Sequence, residues 1–190
     1  ARAACVPQLI GFTASDEGIA VGMVNDGKSA WSTDATVRRV DVAGRDLAVD
    51  HLRLHADVGT SSQVLVGREI SIPTDPSSEF LVIESGARRA FWFYGKDAWL
   101  SLPAADYDLE VEAIEGGCRV GIRARTIVRE LVMDPSRLAA DGVVDRNLLT
   151  MLPGDRVTLE FLASAPVDPA RFVDSGIFLA ANSHASNGSE

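Results

Sequence analysis

Strict alternation of apolar and polar residues, the mark of a strand with one buried face, recurs along this chain, and nothing of similar length repeats at helical spacing. The clearest run is Arg156-Val157-Thr158-Leu159-Glu160-Phe161, which sets Val157, Leu159 and Phe161 on one face and Thr158 and Glu160 on the other. The same period predicts strands over residues 8–14, 18–25, 35–41, 48–56 and 63–70, then over 79–84, 87–94, 107–114, 118–124, 126–133, 156–163 and 176–181. Turn formers separate the first five: Ser15-Asp16-Glu17-Gly18, Asn25-Asp26-Gly27-Lys28, Ala43-Gly44-Arg45-Asp46 and Gly59-Thr60-Ser61-Ser62. Glu115-Gly116-Gly117 predicts a hairpin between the strands at 107–114 and 118–124. In Leu152-Pro153-Gly154-Asp155, Pro153 presets the first corner of a turn and Gly154 tolerates the positive φ of a type II second corner. Helix is limited to single turns at 96–100 and 136–140, and to a short helix over 168–173 with Asp168 as cap and Pro169 at the first position.

Residues 71–78 carry two prolines and three serines, a composition that cannot supply a regular ladder and reads as a linker. A chain of 190 residues with 46% hydrophobic content suits two small cores. The expectation is therefore an all-β chain of two tandem immunoglobulin-like antiparallel β-sandwiches, spanning 1–74 and 75–190, since about seven short strands in about 100 residues suit such a sandwich. The tail 183–190 reads as disordered.

The net charge of -9 is spread along the chain, with 7 basic and 10 acidic residues up to Asp75 and 11 and 17 beyond it. Neither half has a basic footprint, which argues against nucleic acid and anionic membrane surfaces as partners. No apolar run reaches the about 18 residues of a membrane span, and Ala1-Arg2-Ala3-Ala4-Cys5 does not open a signal peptide; the expected location is cytoplasmic, with secretion left open. Two cysteines, Cys5 and Cys118, make neither a disulfide framework nor a metal set, so both are expected to be free thiols.

Candidate chemistry is sparse. His51 and His55 lie four apart, a zinc spacing on a helix, but Leu52 and Leu54 alternate with them, so the segment reads as a strand whose polar face carries His51, Arg53 and His55. Asp108, Glu110 and Glu112 share a strand face, with Asp106 and Glu115 nearby. Catalytic carboxylates need a cleft and one raised pKa, and an exposed face supplies neither. Phe91-Trp92-Phe93-Tyr94, followed by Trp99, offers flat rings for a pyranose, and alternation sends Phe91 and Phe93 to one side and Trp92 and Tyr94 to the other. One pair belongs in the core, and Trp92, Tyr94 and Trp99 are taken as the residues for sugar or interface contact. A nucleophile elbow, a phosphate loop and a dinucleotide fingerprint are all missing from the sequence, so no catalytic, metal-binding or cofactor-binding residue is assigned and no cofactor is expected.

Three stretches in order carry a family resemblance: Arg123-Ala124-Arg125-Thr126-Ile127-Val128-Arg129-Glu130-Leu131, then Val143-Val144-Asp145-Arg146-Asn147, then Leu152-Pro153-Gly154-Asp155. Together they resemble the terminal immunoglobulin-like module of bacterial β-mannosidases of glycoside hydrolase family 2. Val24-Asn25-Asp26 resembles the strand end of the module that follows the catalytic barrel in that family, and Ile177-Phe178-Leu179-Ala180-Ala181-Asn182 resembles its final strand, which implies that the natural C-terminus is included. One departure is Leu148-Leu149 where the family has aromatics after the Asn, which removes any contact made through those rings. The family hydrolyses terminal β-mannosides with two glutamates on a (β/α)8 barrel of about 250 residues, for which this chain has neither the length nor the pattern. The resemblance thus implies a non-catalytic accessory region whose partner is the barrel of the parent chain, with homo-oligomer and oligosaccharide contacts as further partners. The alternative is an independent carbohydrate-binding or adhesion module.

Overall fold

The computed structural model describes residues 7–174 and 176–183, and the side chain of Asp97 lies outside the description. Cys5, most of the predicted tail and Ser175 therefore lie outside the described residues. The chain folds as two compact units, one ending at Ser101 and the next beginning at Leu102. Both are built almost wholly from antiparallel strands.

In the first unit the strands are β1 (Gln8–Ser15), β2 (Gly18–Asn25), β3 (Trp31–Asp41), β4 (Asp46–Ala56), β5 (Thr60–Leu65), β6 (Glu79–Ser85) and β7 (Arg88–Phe93). They form a three-stranded sheet in the order β1-β2-β5 and a four-stranded one in the order β4-β3-β6-β7. The alternation seen in the sequence supplies the core: Val21, Met23, Val37, Leu54, Leu81 and Ile83 are buried together. Two-residue loops close β1–β2 and β6–β7, and Gly86 takes a φ of 57° in the second of them. The predicted strand over 63–70 ends early. Beyond Leu65 the chain turns into a short helix, α1 (Arg68–Ser71), which buries Ile70 in the core.

The domain boundary expected at 74/75 is corrected by the pairing. β6 joins β3 from Thr36↔Glu84 to Asp41↔Glu79, so residues 79–93 complete the first sandwich, and the division falls at 101/102. The stretch 71–78 is a crossing between the two sheets of one unit. Its polar backbone is satisfied locally: the Glu79 carboxylate accepts from the N–H of Thr74 (3.1 Å) and Asp75 (3.0 Å), and the Val42 N–H reaches the Ser78 carbonyl at 3.0 Å.

The second unit contains β8 (Tyr107–Ile114), β9 (Gly117–Ala124), β10 (Val128–Met133), β11 (Val143–Val144), β12 (Leu149–Met151), β13 (Arg156–Leu162) and β14 (Phe178–Leu179). Its sheets run β12-β10-β14 and β11-β13-β9-β8 around a core that includes Val120, Ile122, Leu131, Met133, Leu159, Phe161 and Phe172. Both predicted turns are present. Glu115-Gly116 closes β8–β9 with Gly116 at φ 75°, and Gly154 sits at φ 90° while the Asp155 N–H reaches the Leu152 carbonyl at 3.0 Å. Gly117 is needed for a different reason: a Cβ there would overlap the Phe161 carbonyl across the ladder. The predicted helix at 168–173 is a 3₁₀ helix (Pro169–Val173) capped by Asp168, and it buries Phe172. Strands β11 and β12 escape the sequence reading because two or three residues are too short to display a period.

Candidate functional site

On β7 the two faces separate as alternation requires. Phe91 and Phe93 gather with Phe80, whose ring centroid lies 4.9 Å from that of Phe93 and 6.3 Å from that of Phe91. Trp92 and Tyr94 pack, partly buried, against the core of the first unit. They are therefore the core-side pair, and the sequence had set them aside for sugar or interface contact. Which pair points inward follows from the register Leu81↔Trp92 in β6–β7, because Leu81 is a core residue. Trp99 differs. It ends a 3₁₀ turn (Asp97–Trp99), is 68% exposed, and has the Lys96 ammonium 5.5 Å from its ring centroid. Of the three predicted contact residues it is the one that presents an open ring.

Beside Tyr94 lies a charged pair that sequence reasoning missed. Arg39 and Glu79 meet at 3.4 Å, with Glu79 only 7% exposed, and the Arg39 guanidinium also donates to the Ile72 carbonyl. Burial pushes the Tyr94 phenol well above its ordinary pKa, Arg39 pulls it down and Glu79 pushes it further up. This hydroxyl is buried and has no hydrogen-bond partner among the described residues. The arrangement anchors the crossing between the sheets; nothing in it presents a reacting group to solvent.

The outer face of the four-stranded sheet in the first unit is apolar toward β7, where Phe80, Phe91 and Phe93 gather, and polar toward β4. Its histidines stand on exposed β4, His51 beside Thr36 (Nδ1 to Oγ1, 3.2 Å) and His55 beside Ser32 (2.7 Å), with Arg53 between them paired to Asp34 at 2.6 Å. Among the described residues no group of three or more His, Cys, Asp or Glu side chains could hold a metal ion.

The corresponding face of the second unit carries the predicted acidic row, and here the acids are interleaved with arginines. Cross-strand registers place Asp108 opposite Arg123, Glu110 opposite Gly121, and Glu112 opposite Arg119; β13 continues the rows with Arg156, Thr158 and Glu160. Arg125 holds Asp108, and Arg119 meets Glu112 at 3.3 Å. Two adjoining hollows of about 340 and 250 Å³ share Glu110, Gly121 and Thr158. They form one open trough across β8, β9 and β13. Its floor is Gly121, an outward position of β9 that carries no side chain between Arg119 and Arg123. A glycine in the outward row of a strand is the signal that could have marked the trough, which the sequence reading missed.

Three asparagines from the stretches of family resemblance act as latches. Asn25 is fully buried, its amide donating to the carbonyls of Ser29 (2.9 Å), Ala56 (3.1 Å) and Asp57 (3.2 Å). Asn147 grips the end of β10 from both sides, accepting from the Met133 N–H at 2.7 Å and donating to the Met133 carbonyl at 3.0 Å. Asn182 donates to the carbonyls of Pro103 (2.9 Å) and Ile127 (2.8 Å) and accepts from the Arg129 N–H (2.9 Å). Each substitutes for ladder hydrogen bonds where a strand ends.

The fold and its surfaces define a pair of antiparallel β-sandwiches, with no assembled pair of buried carboxylates among the described residues; the Ser32–His55 and Thr36–His51 contacts stand on an open strand face. No family model matches the sequence, and no curated protein matches it. Among solved structures the chain is similar to the β-D-mannosidase of Dictyoglomus thermophilum, at 14% identity and a TM-score of 0.67, covering 84% of this chain and 20% of that one. It is also similar to the exo-β-D-glucosaminidase CsxA, at 12% identity and a TM-score of 0.50, covering 93% of this chain and 26% of that one. At those identities the likeness shows the shared fold. The chain spans about a fifth to a quarter of the length of these enzymes. Among the described residues no helix is long and apolar enough to cross a membrane.

Proposed function

We propose that this chain is an accessory pair of β-sandwiches from a family 2 β-mannosidase, bracing the catalytic barrel and shaping the flank of its cleft, without hydrolytic chemistry of its own. The observation that carries the reading is the extent of the structural match: 84% of this chain against one fifth of a β-D-mannosidase. The ordered motif set from Arg123 to Asp155 supports the same parent. The acids of this chain fit that role, since Asp108 and Glu112 are engaged by arginines on an open face, whereas a glycosidase needs two carboxyls flanking a cleft and one of them desolvated.

Two measurements test it. The coding sequence upstream of the Ala1 codon is expected to continue in frame through a barrel-sized region of about 250 residues. The joined protein should then hydrolyse an aryl β-D-mannoside while the purified chain alone should not. A short natural gene, or turnover by the chain alone, overturns the proposal.

The exposed Trp99 ring supports the second reading, an independent carbohydrate-binding module. Calorimetry against mannobiose and mannan separates the two. Binding that disappears in Trp99→Ala favours the binding module; silence from the native chain favours bracing.

A further inference from the structure

The trough on the second unit contains an arrangement that the bracing role does not explain. Arg123 and Arg156 stand directly opposite each other in the β9–β13 ladder, and like charges in that relation repel. The carboxylate that could neutralise Arg123, Asp108, is held by Arg125. Arg123, Arg156, Glu110 and Thr158 have no side-chain hydrogen-bond or ion-pair partner among the described residues, and all four are exposed. At one end of an open trough, therefore, two arginines stand side by side in the ladder with unspent donors. One row further along, about 7 Å at the usual strand rise, Glu110 and Thr158 flank the bare backbone of Gly121.

We propose that this trough binds a saccharide carrying a single ring carboxylate, of the uronic-acid class. The guanidiniums of Arg123 and Arg156 take the carboxylate, for which a planar fork of donors is suited. The ring lies over Gly121, where no Cβ stands in the way, and the sugar hydroxyls reach the Glu110 carboxylate as donors and the Thr158 hydroxyl as donor or acceptor. Glu110 also sets the specificity. Its charge repels a compact dianion such as phosphate, while a polyhydroxylated monoanion offsets that charge with hydroxyl donors. The trough is independent of the bracing role, because it lies within one unit and needs no barrel.

The test uses the full 190-residue chain, nitrogen-labelled, titrated with a glucuronate disaccharide, its neutral glucose counterpart and inorganic phosphate while amide spectra are recorded. The expected result is saturable movement of the Gly121, Arg123 and Thr158 amides by the glucuronate ligand in the millimolar range or below, with smaller movement by the neutral sugar and none by phosphate. Arg156→Gln should weaken binding by roughly ten-fold or more, the usual effect of losing a charge-assisted hydrogen bond. Gly121→Val should block the site. The new Cβ meets Glu110 atoms only at 3.6 and 3.7 Å, ordinary contact, so the ladder tolerates it, and an unchanged amide spectrum elsewhere confirms the fold. Absence of binding through the millimolar range, equal response to the neutral sugar, equal response to phosphate, or indifference of the Arg156→Gln variant each overturns the proposal. Absence of a barrel upstream of Ala1 would remove the bracing role and leave this result untouched.

Discussion

Removing the Glu79 carboxylate should unlock the crossing that makes residues 79–93 part of the first sandwich. In the native chain this group, 7% exposed, accepts from two backbone N–H groups and faces Arg39 at 3.4 Å. Glu79→Ala leaves a partly buried guanidinium without its counter-charge and two amides without an acceptor. Breaking a buried pair from one side costs about 3–5 kcal/mol, a large share of the about 5–15 kcal/mol that holds a domain together. Arg39→Met leaves the carboxylate with its two amide donors and should cost about 2 kcal/mol. The double variant loses both charges and keeps the orphaned amides, so it should cost about as much as Glu79→Ala or less, well below the sum of the single changes. All three tryptophans, Trp31, Trp92 and Trp99, precede Leu102, so tryptophan fluorescence during urea denaturation reads the first unit alone. With a slope of about 2 kcal/mol per molar urea, the Glu79→Ala midpoint should fall by about 2 M. A shift near zero would refute the burial argument, and additive single-variant losses in the double variant would refute the claim that the cost lies in the unpaired charge.

Further outcomes follow from other positions. Gly117→Ala forces a Cβ into the Phe161 carbonyl and should destabilise the second unit by about 2–4 kcal/mol, read as loss of the Tyr107 environment in near-ultraviolet dichroism while tryptophan fluorescence stays native. Burial and then the nearby Asp168 charge raise the pKa of the Cys118 thiol, and the side chain is fully buried, so in a Cys5→Ser background thiol reagents should modify it only at the rate of unfolding. In the first unit, burial alone would raise the Asp41 carboxyl, but hydrogen bonds from the Arg45 N–H and guanidinium and the Ala43 N–H bring it below the ordinary value; the Ser78 and Ser77 hydroxyls and the Ser77 N–H lower Asp75. Folded pKa values depressed in this way stabilise above the unfolded carboxylate value of about 3.9 and lose that contribution as pH falls below it. The acid limb monitored by fluorescence should accordingly flatten in the Asp41→Asn, Asp75→Asn double variant, and an unchanged limb would show that other carboxylates govern it.

The turns and the short helix were legible because each rests on local chemistry. Pro153-Gly154 sets its own turn, Asp168-Pro169 starts its own helix, and Gly116 permits the hairpin that alternation on both sides requires. The latch roles of Asn25, Asn147 and Asn182 were not legible, since their partners lie at Ala56, Met133 and Ile127 and become neighbours only when strands from distant parts of the chain meet. The trough was missed. Glycine at 121 breaks the outward row of β9, but the row becomes a groove only because Glu110 and Thr158 flank it from two other strands.

By itself the sequence determined the class of the protein: a two-residue period, punctuated by turn formers, admits strands with one buried face and little else. What the tertiary structure decided was which strands share a sheet. Residues 71–78 have the composition of a linker, because a chain crossing between two sheets of one sandwich and a chain crossing between two domains both need irregular backbone on the surface. Only the pairing of Asp41 with Glu79 shows that the strand beyond belongs to the first core, and the same pairing turns Trp92 and Tyr94 inward. Alternation fixes that neighbouring side chains face opposite ways; it takes a partner strand to decide which way is in.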